Sequence, residues 1–238
     1  MMEIDTRRRT EAPEIMDNFD MEGEILRDAL DKIAWINRLL GGNKLTLQGV
    51  RKLLRNASKS EVITIVDVGC GNGDMLRVLA NYGKRHGFLL DLIGVDANQF
   101  TIHHAESLSK DYPNISYRCE NIFDEDFAHL NYDIVLCTLT LHHFTDPEIL
   151  QLMELFKANA KIGIVINDLH RHSLAYRSFQ AICALFGLND MSREDGLVSI
   201  LRGFKKEELL EYSRKLNLKK YSIRWKWAFR YQWIIPTI

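Results

Sequence analysis

Apolar positions along this chain change their period several times, and each change marks an element. Leu26, Ala29, Leu30, Ile33, Ile36 and Leu40 recur at the spacing of one helix face. Asp20 is placed to cap that helix and Gly41–Gly42 to end it. Leu45 to Asn56 repeats the pattern, with Leu47, Val50, Leu53 and Leu54 inward. Short continuous apolar runs follow at 62–68, 88–95, 115–119, 132–137 and 161–167. Runs of this length, rich in β-branched residues, predict strands buried on both faces. Helical patterns separate them, over 75–82, over 99–109 and after Asp146-Pro147. Alternation of this kind predicts a parallel sheet with helices on both sides.

Beyond the fifth strand the pattern predicts a helix over 173–186, a polar loop over 187–203 and a helix over 205–216. Two terminal runs, 219–226 and 228–235, pair as an antiparallel hairpin at the sheet edge. The expected fold class is thus α/β, a doubly wound and mostly parallel seven-stranded sheet. Residues 1–60 form a helical extension and 61–238 the sheet domain, in which 173–203 is an inserted helical cap.

The stretch VITIVDVGCGNGD, from Val62 to Asp74, carries the first chemical signal. A strand ends in Asp67, glycines alternate at 69, 71 and 73, and a helix begins. Glycines there permit positive φ and close approach of a ligand, and the helix start presents free N–H groups. The next strand ends in Asp96, suited to a ribose hydroxyl pair. A dinucleotide loop, G-x-G-x-x-G, must hold a pyrophosphate. Here the third glycine comes one residue early and Asp67 and Asp74 flank the loop, which suits a cation. S-adenosylmethionine (SAM), an adenosine bearing a sulfonium and an ammonium, fits that charge.

Composition narrows the setting. The 238 residues are 46% hydrophobic and 26% charged, with a net charge of −1, so no global field draws the chain to nucleic acid. No apolar run approaches the ~20 residues of a membrane span, and no signal peptide is expected. Cys70, Cys119, Cys137 and Cys183 have no C-x-x-C spacing, which fits reduced thiols in a cytoplasmic protein.

Strand, acid, alternating glycines, helix, strand and acid together resemble the class I SAM-dependent methyltransferases, whose first motif is D/E-x-G-x-G-x-G. The resemblance implies a Rossmann-like methyltransferase sheet. It implies cofactor contacts from Asp67, Gly69, Cys70, Gly71 and Asp74, then Asp96 and Ala97. Asn121 and Ile122 follow the third strand, with Glu120 a rival for the adenine amino group, and Thr138 follows the fourth. Helices ahead of the first strand often cover the open sheet end in this family. Glu14, Asp17, Asn37 and Arg38 are either surface residues or within reach of the ligand.

After the fourth strand the chain reads Thr138-Leu139-Thr140-Leu141, without the Asn/Asp-Pro-Pro-aromatic motif or the Pro-Cys nucleophile of base methyltransferases. Thr138 replaces the acid of metal-dependent catechol methyltransferases and their Asp-Asn pair is reversed as Asn167-Asp168, so no metal is expected. His142 and His143 are the candidate general bases, or else a structural turn. Acceptor contacts are expected from His143, Asn167, Asp168, Arg171, Tyr176 and Arg193. The N-D-x-x-R-x-S-x-A-Y run from Asn167 to Tyr176 joins R-x-x-x-x-E-x-M-D at Arg9–Asp17 and I-N-R at Ile36–Arg38. These runs resemble a bacterial group of small-molecule methyltransferases, some encoded beside type III polyketide synthases. That likeness implies O- or C-methylation of a small aromatic or polyketide-like acceptor.

Two other functions compete. A macromolecular methyltransferase would use Arg7–Arg9 and Lys219, Lys220, Arg224, Lys226 and Arg230 to hold RNA, or would act on protein. A SAM-binding protein without catalysis would keep the glycine loop alone.

Overall fold

Burial on both faces of the strands sets the architecture. In a computed structural model describing residues 4–237, β1 (Val62–Val68), β2 (Leu89–Asp96), β3 (Ile115–Cys119), β4 (Tyr132–Thr138) and β5 (Ala160–Leu169) run parallel. The termini of the expected division, residues 1–3 and 238, lie outside the described residues. Successive residues of β4 alternate between two cores: Ile134 and Leu136 join one, Val135 and Cys137 the other. The same alternation splits Ile65 from Val66 and Val165 from Ile164, as the period of two requires.

The helices are α1 (Glu24–Leu39), α2 (Gly42–Leu53), α3 (Asp74–His86), α4 (Gln99–Leu108), α5 (Glu125–Ala128), α6 (Asp146–Asn159), α7 (Ser173–Phe186), α8 (Asp190–Arg202) and α9 (Lys206–Lys215). Two of them, α2 and α3, cover one core, and α6 and α9 cover the other. The hairpin strands β6 (Ser222–Lys226) and β7 (Arg230–Pro236) complete the sheet in the order β3-β2-β1-β4-β5-β7-β6. β7 runs antiparallel to β5, so β6 alone is the edge on this side, and β7 is buried. Strand order reverses between β1 and β4, the point at which open α/β sheets leave a crevice beyond their C-terminal ends.

Three boundaries differ from the sequence expectation. The polar loop expected over 187–203 is largely helix α8. Asn189 caps it by accepting from the Ser192 amide at 2.8 Å, and Met191 and Ile200 are buried. α1 begins only at Glu24, because Gly23 takes a left-handed φ of 97° immediately before it, so Asp20 is not its cap. α2 starts at Gly42, three residues earlier than expected, and ends in a 3-10 turn at Leu54–Asn56.

α2 lies unusually close to the sheet. A Cβ on Gly49 would stand 2.5 Å from Val165 Cγ1, in a fully buried part of β5. Gly49→Ala gains about 1 kcal/mol of helix propensity, but overpacking costs about 1–3 kcal/mol. Because Val165 is packed on all sides, the clash is expected to win and the urea midpoint to fall. A midpoint equal to or above wild type would contradict the packing described.

Candidate active site

A cavity of about 450 Å³ opens at the strand reversal, between the ends of β1, β2, β4 and β5 and beneath α1, α7 and α8. Its floor is the glycine loop. Gly69 and Cys70 donate their amides to Val95 O at 2.9 and 3.1 Å, which binds the loop to the end of β2. Gly71 has φ 51°, and a Cβ there would meet nothing closer than Leu30 Cδ2 at 3.9 Å. Asp96 accepts from the Gly71 and Asn98 amides at 3.2 and 3.1 Å. Burial pushes its carboxyl above the usual range. Asp67 is buried, and its Oδ1 has no hydrogen-bond partner. Burial, reinforced by the charges of Asp74 and Asp96, raises its carboxyl well above the ordinary value. The loop therefore groups three acidic side chains that a cation would help to ionise, with an unused buried acceptor among them.

All ten residues expected at the cofactor line this cavity: Asp67, Gly69, Cys70, Gly71, Asp74, Asp96, Ala97, Asn121, Ile122 and Thr138. Glu120 lines it too, paired with Arg118 at 3.0 Å, while Asn121 Oδ1 accepts from the Phe123 amide at 3.1 Å. Thr138 Oγ1 lies 3.1 Å from Thr46 Oγ1 and joins the strand end to α2.

Two histidines line the same cavity. Leu139, at φ 56°, takes the left-handed backbone that side chains disfavour and leads into a 3-10 turn at Leu141–His143. His142 is 2% exposed, and its Nδ1 lies 2.7 Å from Asp168 Oδ1. Its own amide donates to Asp168 Oδ2 at 3.1 Å. Its Nε2 is buried without a hydrogen-bond partner, 3.6 Å from Glu14 Oε1. Burial penalises the charge on Asp168, but the charge and hydrogen bond of His142 outweigh it, and the carboxyl sits below its usual value. His143 stacks on His142, ring centres 4.4 Å apart, and its Nδ1 lies 2.7 Å from Asp17 Oδ1.

Glu14 and Asp17 reach this wall from a 3-10 turn at Ile15–Asp17, and α8 holds that turn. Asp195 accepts from the Ile15 and Met16 amides at 2.6 and 3.0 Å, and Ser199 Oγ donates to Glu14 Oε2 at 2.7 Å. Arg202 donates to Asp17 Oδ2 and to His143 O, both at 2.7 Å. Burial raises the Glu14 carboxyl despite the charges of His143 and Arg202. At Asp17 burial acts in the same upward sense, but hydrogen bonds from His143 and Arg202 dominate and the carboxyl is held low. Arg9, expected as part of a basic arm, instead donates to the carbonyls of His142 and Phe144 at 2.9 and 2.8 Å and fixes the histidine turn.

Of the expected acceptor residues, His143 lines the cavity and the other five do not. Asn167 is fully buried and ties α2 to β5 through Gly42 O and Thr46 Oγ1, both at 3.0 Å. Asp168 stands behind His142. Arg171 is also fully buried, pairing with Glu208 at 2.6 Å and donating to Gly203 O and Thr6 O. Tyr176 misses the cavity because α7 turns Ala175, Ser178, Phe179 and Ile182 toward it, the helical positions one step away. Arg193 is exposed and paired with Asp190 for the same reason: α8 turns Ser192, Asp195, Gly196 and Ser199 inward. Position on the rim did not say which way each side chain points. Glu14 and Asp17, by contrast, belong to the R-x-x-x-x-E-x-M-D run, whose local pattern does not place it against the histidines. Among the described residues, Glu14, His142 and His143 each bring one ligand atom within 4.8 Å of the others, a spacing compatible with a cation.

Residues 65–161, from β1 through the start of β5, match the family described as a methyltransferase domain. A ubiquinone biosynthesis O-methyltransferase of Coxiella burnetii is 32% identical over 85 residues, 35% of this chain and 34% of that protein. A peramine synthetase of Metarhizium majus is 24% identical over 156 residues, 60% of this chain but 5% of that protein. The chain thus spans about a third of the length of the first relative and a twentieth of the second. The plantazolicin methyltransferase BpumL, solved with SAH, superposes with a TM-score of 0.66 at 17% identity, covering 87% of this chain and 88% of that one. Magnesium protoporphyrin IX methyltransferase of Synechocystis PCC 6803, also with SAH, gives 0.53 at 18% identity over 82% of each chain. At that identity, these likenesses establish a shared fold.

Proposed function

We propose that the chain is a SAM-dependent methyltransferase acting on a small, largely apolar acceptor, with His142 as general base. The matched methyltransferase domain contains the glycine loop, Asp67 and Asp96. SAM suits the floor of the cavity on three grounds: the space at Gly71, the unpartnered Asp67 Oδ1, and three carboxylates (Asp67, Asp74 and Asp96) grouped there. When bound, the cofactor supplies an electrophilic methyl on a sulfonium.

The chain's residues supply the rest. His142 lines the cavity, and its unpartnered Nε2 is assigned to accept the proton of an acceptor hydroxyl or activated carbon acid. Asp168 fixes the ring through Nδ1 and stabilises the imidazolium that results. Glu14, 3.6 Å from Nε2, adds negative charge to the same ring. We assign the Glu14–His142–His143 cluster to proton handling, since Arg202 already lies 3.5 Å from Glu14 and 2.7 Å from Asp17. Phe179 and Ile182 of α7, Ile200 of α8 and Phe229 give the acceptor an apolar enclosure that limits water. The segment 173–203 therefore serves as the acceptor's roof, and a polyketide-like phenol suits its apolar walls and single base.

The carrying observation is His142, held by Asp168 on one ring nitrogen and free on the other. The RNA reading loses two of its cations, because Arg9 is committed to the histidine turn and Arg230 is 3% exposed. Incubation with labelled SAM and a panel of resorcinol-type phenols tests the proposal, with a methylated phenol expected. Transfer to RNA or protein but to no small acceptor would contradict it.

The raised carboxyls add a proton signature. A bound cation favours ionised Asp67 and Asp96, so SAM binding should release protons, and affinity should rise with pH through the raised values. Calorimetry in two buffers of different ionisation enthalpy should show that release. Proton uptake would contradict the placement of the cation.

A further inference from the structure

One charged group in the cavity wall has no part in the chemistry above. Arg230, at the first position of β7 and paired in register with Leu169, lines the cavity while being 3% exposed. Its Nε and Nη1 are buried without hydrogen-bond partners. Asp168 is the charge that opposes its desolvation, but both oxygens of that carboxylate are occupied, by His142 and by the Leu169 amide. Burial pushes the guanidinium down only to about 10, so it remains a cation at neutral pH. A buried charge without a direct partner is costly, and a protein that keeps one at the wall of a ligand cavity leaves it for a ligand to satisfy.

A second polar group converges on the same place. A Cβ on Gly42 would lie 3.2 Å from Arg230 Cζ and 1.8 Å from Asn37 Oδ1, so both side chains close over that glycine. Asn37 Nδ2 donates to Asn43 Oδ1 at 2.5 Å, and Asn43 in turn donates to Asp74 at 2.6 Å. This relay fixes the amide and leaves Asn37 Oδ1 buried, unpartnered and on the cavity wall. It also locates the pair at the α2 and Asp74 side of the cavity, with the glycine loop. A guanidinium presents a planar fork of N–H donors that matches a carboxylate.

We propose that Arg230 is the carboxylate-binding group of this cavity, with Asn37 Oδ1 beside it as an acceptor for an accompanying N–H donor. The carboxylate belongs either to the methionine end of the cofactor or to the acceptor. The inference rests on the proposed cofactor reading only for the first of these sources.

Calorimetry on the full chain separates them. SAH carries the carboxylate, whereas 5′-methylthioadenosine keeps the nucleoside and thioether and lacks the amino-acid end. If the cofactor is the source, Arg230→Gln should weaken SAH roughly 10- to 100-fold and leave methylthioadenosine within about twofold. If the acceptor is the source, SAH affinity should hold, and benzoate binding to the SAH-saturated wild type should disappear in Arg230→Gln. Should Arg230→Gln fail to fold, Asn37→Asp carries the same two arms, since it sets a competing carboxylate against the guanidinium. An equal loss of SAH and methylthioadenosine, or no change in either SAH or benzoate binding, would overturn the proposal. A wild type that binds no SAH would sink the cofactor reading alone, and benzoate binding to the ligand-free protein would then decide the subsite.

Discussion

Replacing His142 with alanine is expected to lower kcat by about 10²–10⁴ while leaving SAM affinity nearly unchanged. The loss corresponds to about 3–5 kcal/mol of transition-state stabilisation, the range a positioned base supplies. Three features place His142 ahead of its neighbour. Its Nε2 is buried and unpartnered, its Nδ1 is held by a fully buried carboxylate, and its backbone is pinned by that same carboxylate. His143 is less buried, and the Nδ1 of its ring is engaged by Asp17, so His143→Ala should cost less. Asp168→Asn should lower the rate, because the amide cannot stabilise an imidazolium. Steady-state kinetics with a phenol acceptor measure all three variants. If His142→Ala stays within a few-fold of wild type, positioning alone drives the reaction and the histidine turn is scaffold.

Gly71→Val is expected to abolish SAM binding with little change in the rest of the cavity. The residue has φ 51°, a region that is strained for any β-branched side chain. A Cβ at this position meets open cavity rather than protein, so the added methyl groups would occupy the volume assigned to the cofactor. Gly69 differs: a Cβ there would clash with Thr140 Oγ1 at 2.4 Å, so its substitution damages the fold as well. Gly71→Val therefore gives the cleaner separation of binding from stability. A variant that folds and still binds SAM within tenfold of wild type would remove the cofactor from the glycine loop.

Much of this arrangement is legible in the sequence because it repeats. The strands β1, β4 and β5 announce themselves as apolar runs, since both faces of each are covered. The glycine loop and the acids at two strand ends are contiguous motifs, and the seven residues read from them (Asp67, Gly69, Cys70, Gly71, Asp74, Asp96 and Ala97) line one cavity. What the sequence hides is direction and distance. The rim after β5 is visible, yet Asn167, Asp168 and Arg171 turn into the protein and serve as ties or as support for His142. Helix α8 is obscured by the charged run Arg193-Glu194-Asp195, whose Asp195 is an inward anchor for the turn carrying Glu14. Glu14 meets His142 across more than a hundred residues of chain, and no local pattern records that meeting. Arg230, among alternating bases and aromatics, reads as an ordinary edge strand, but β7 lies inside the sheet and turns it into the cavity.

The central claim is that the cation-selective floor built by Asp67, Gly71 and Asp96 binds SAM. Isothermal titration of the wild-type protein with SAM, SAH and NAD tests it most directly. The account predicts one site per chain for SAM and SAH, with proton release on SAM binding, and NAD binding at least tenfold weaker. No binding of SAM, or NAD binding tighter than SAM, would contradict it.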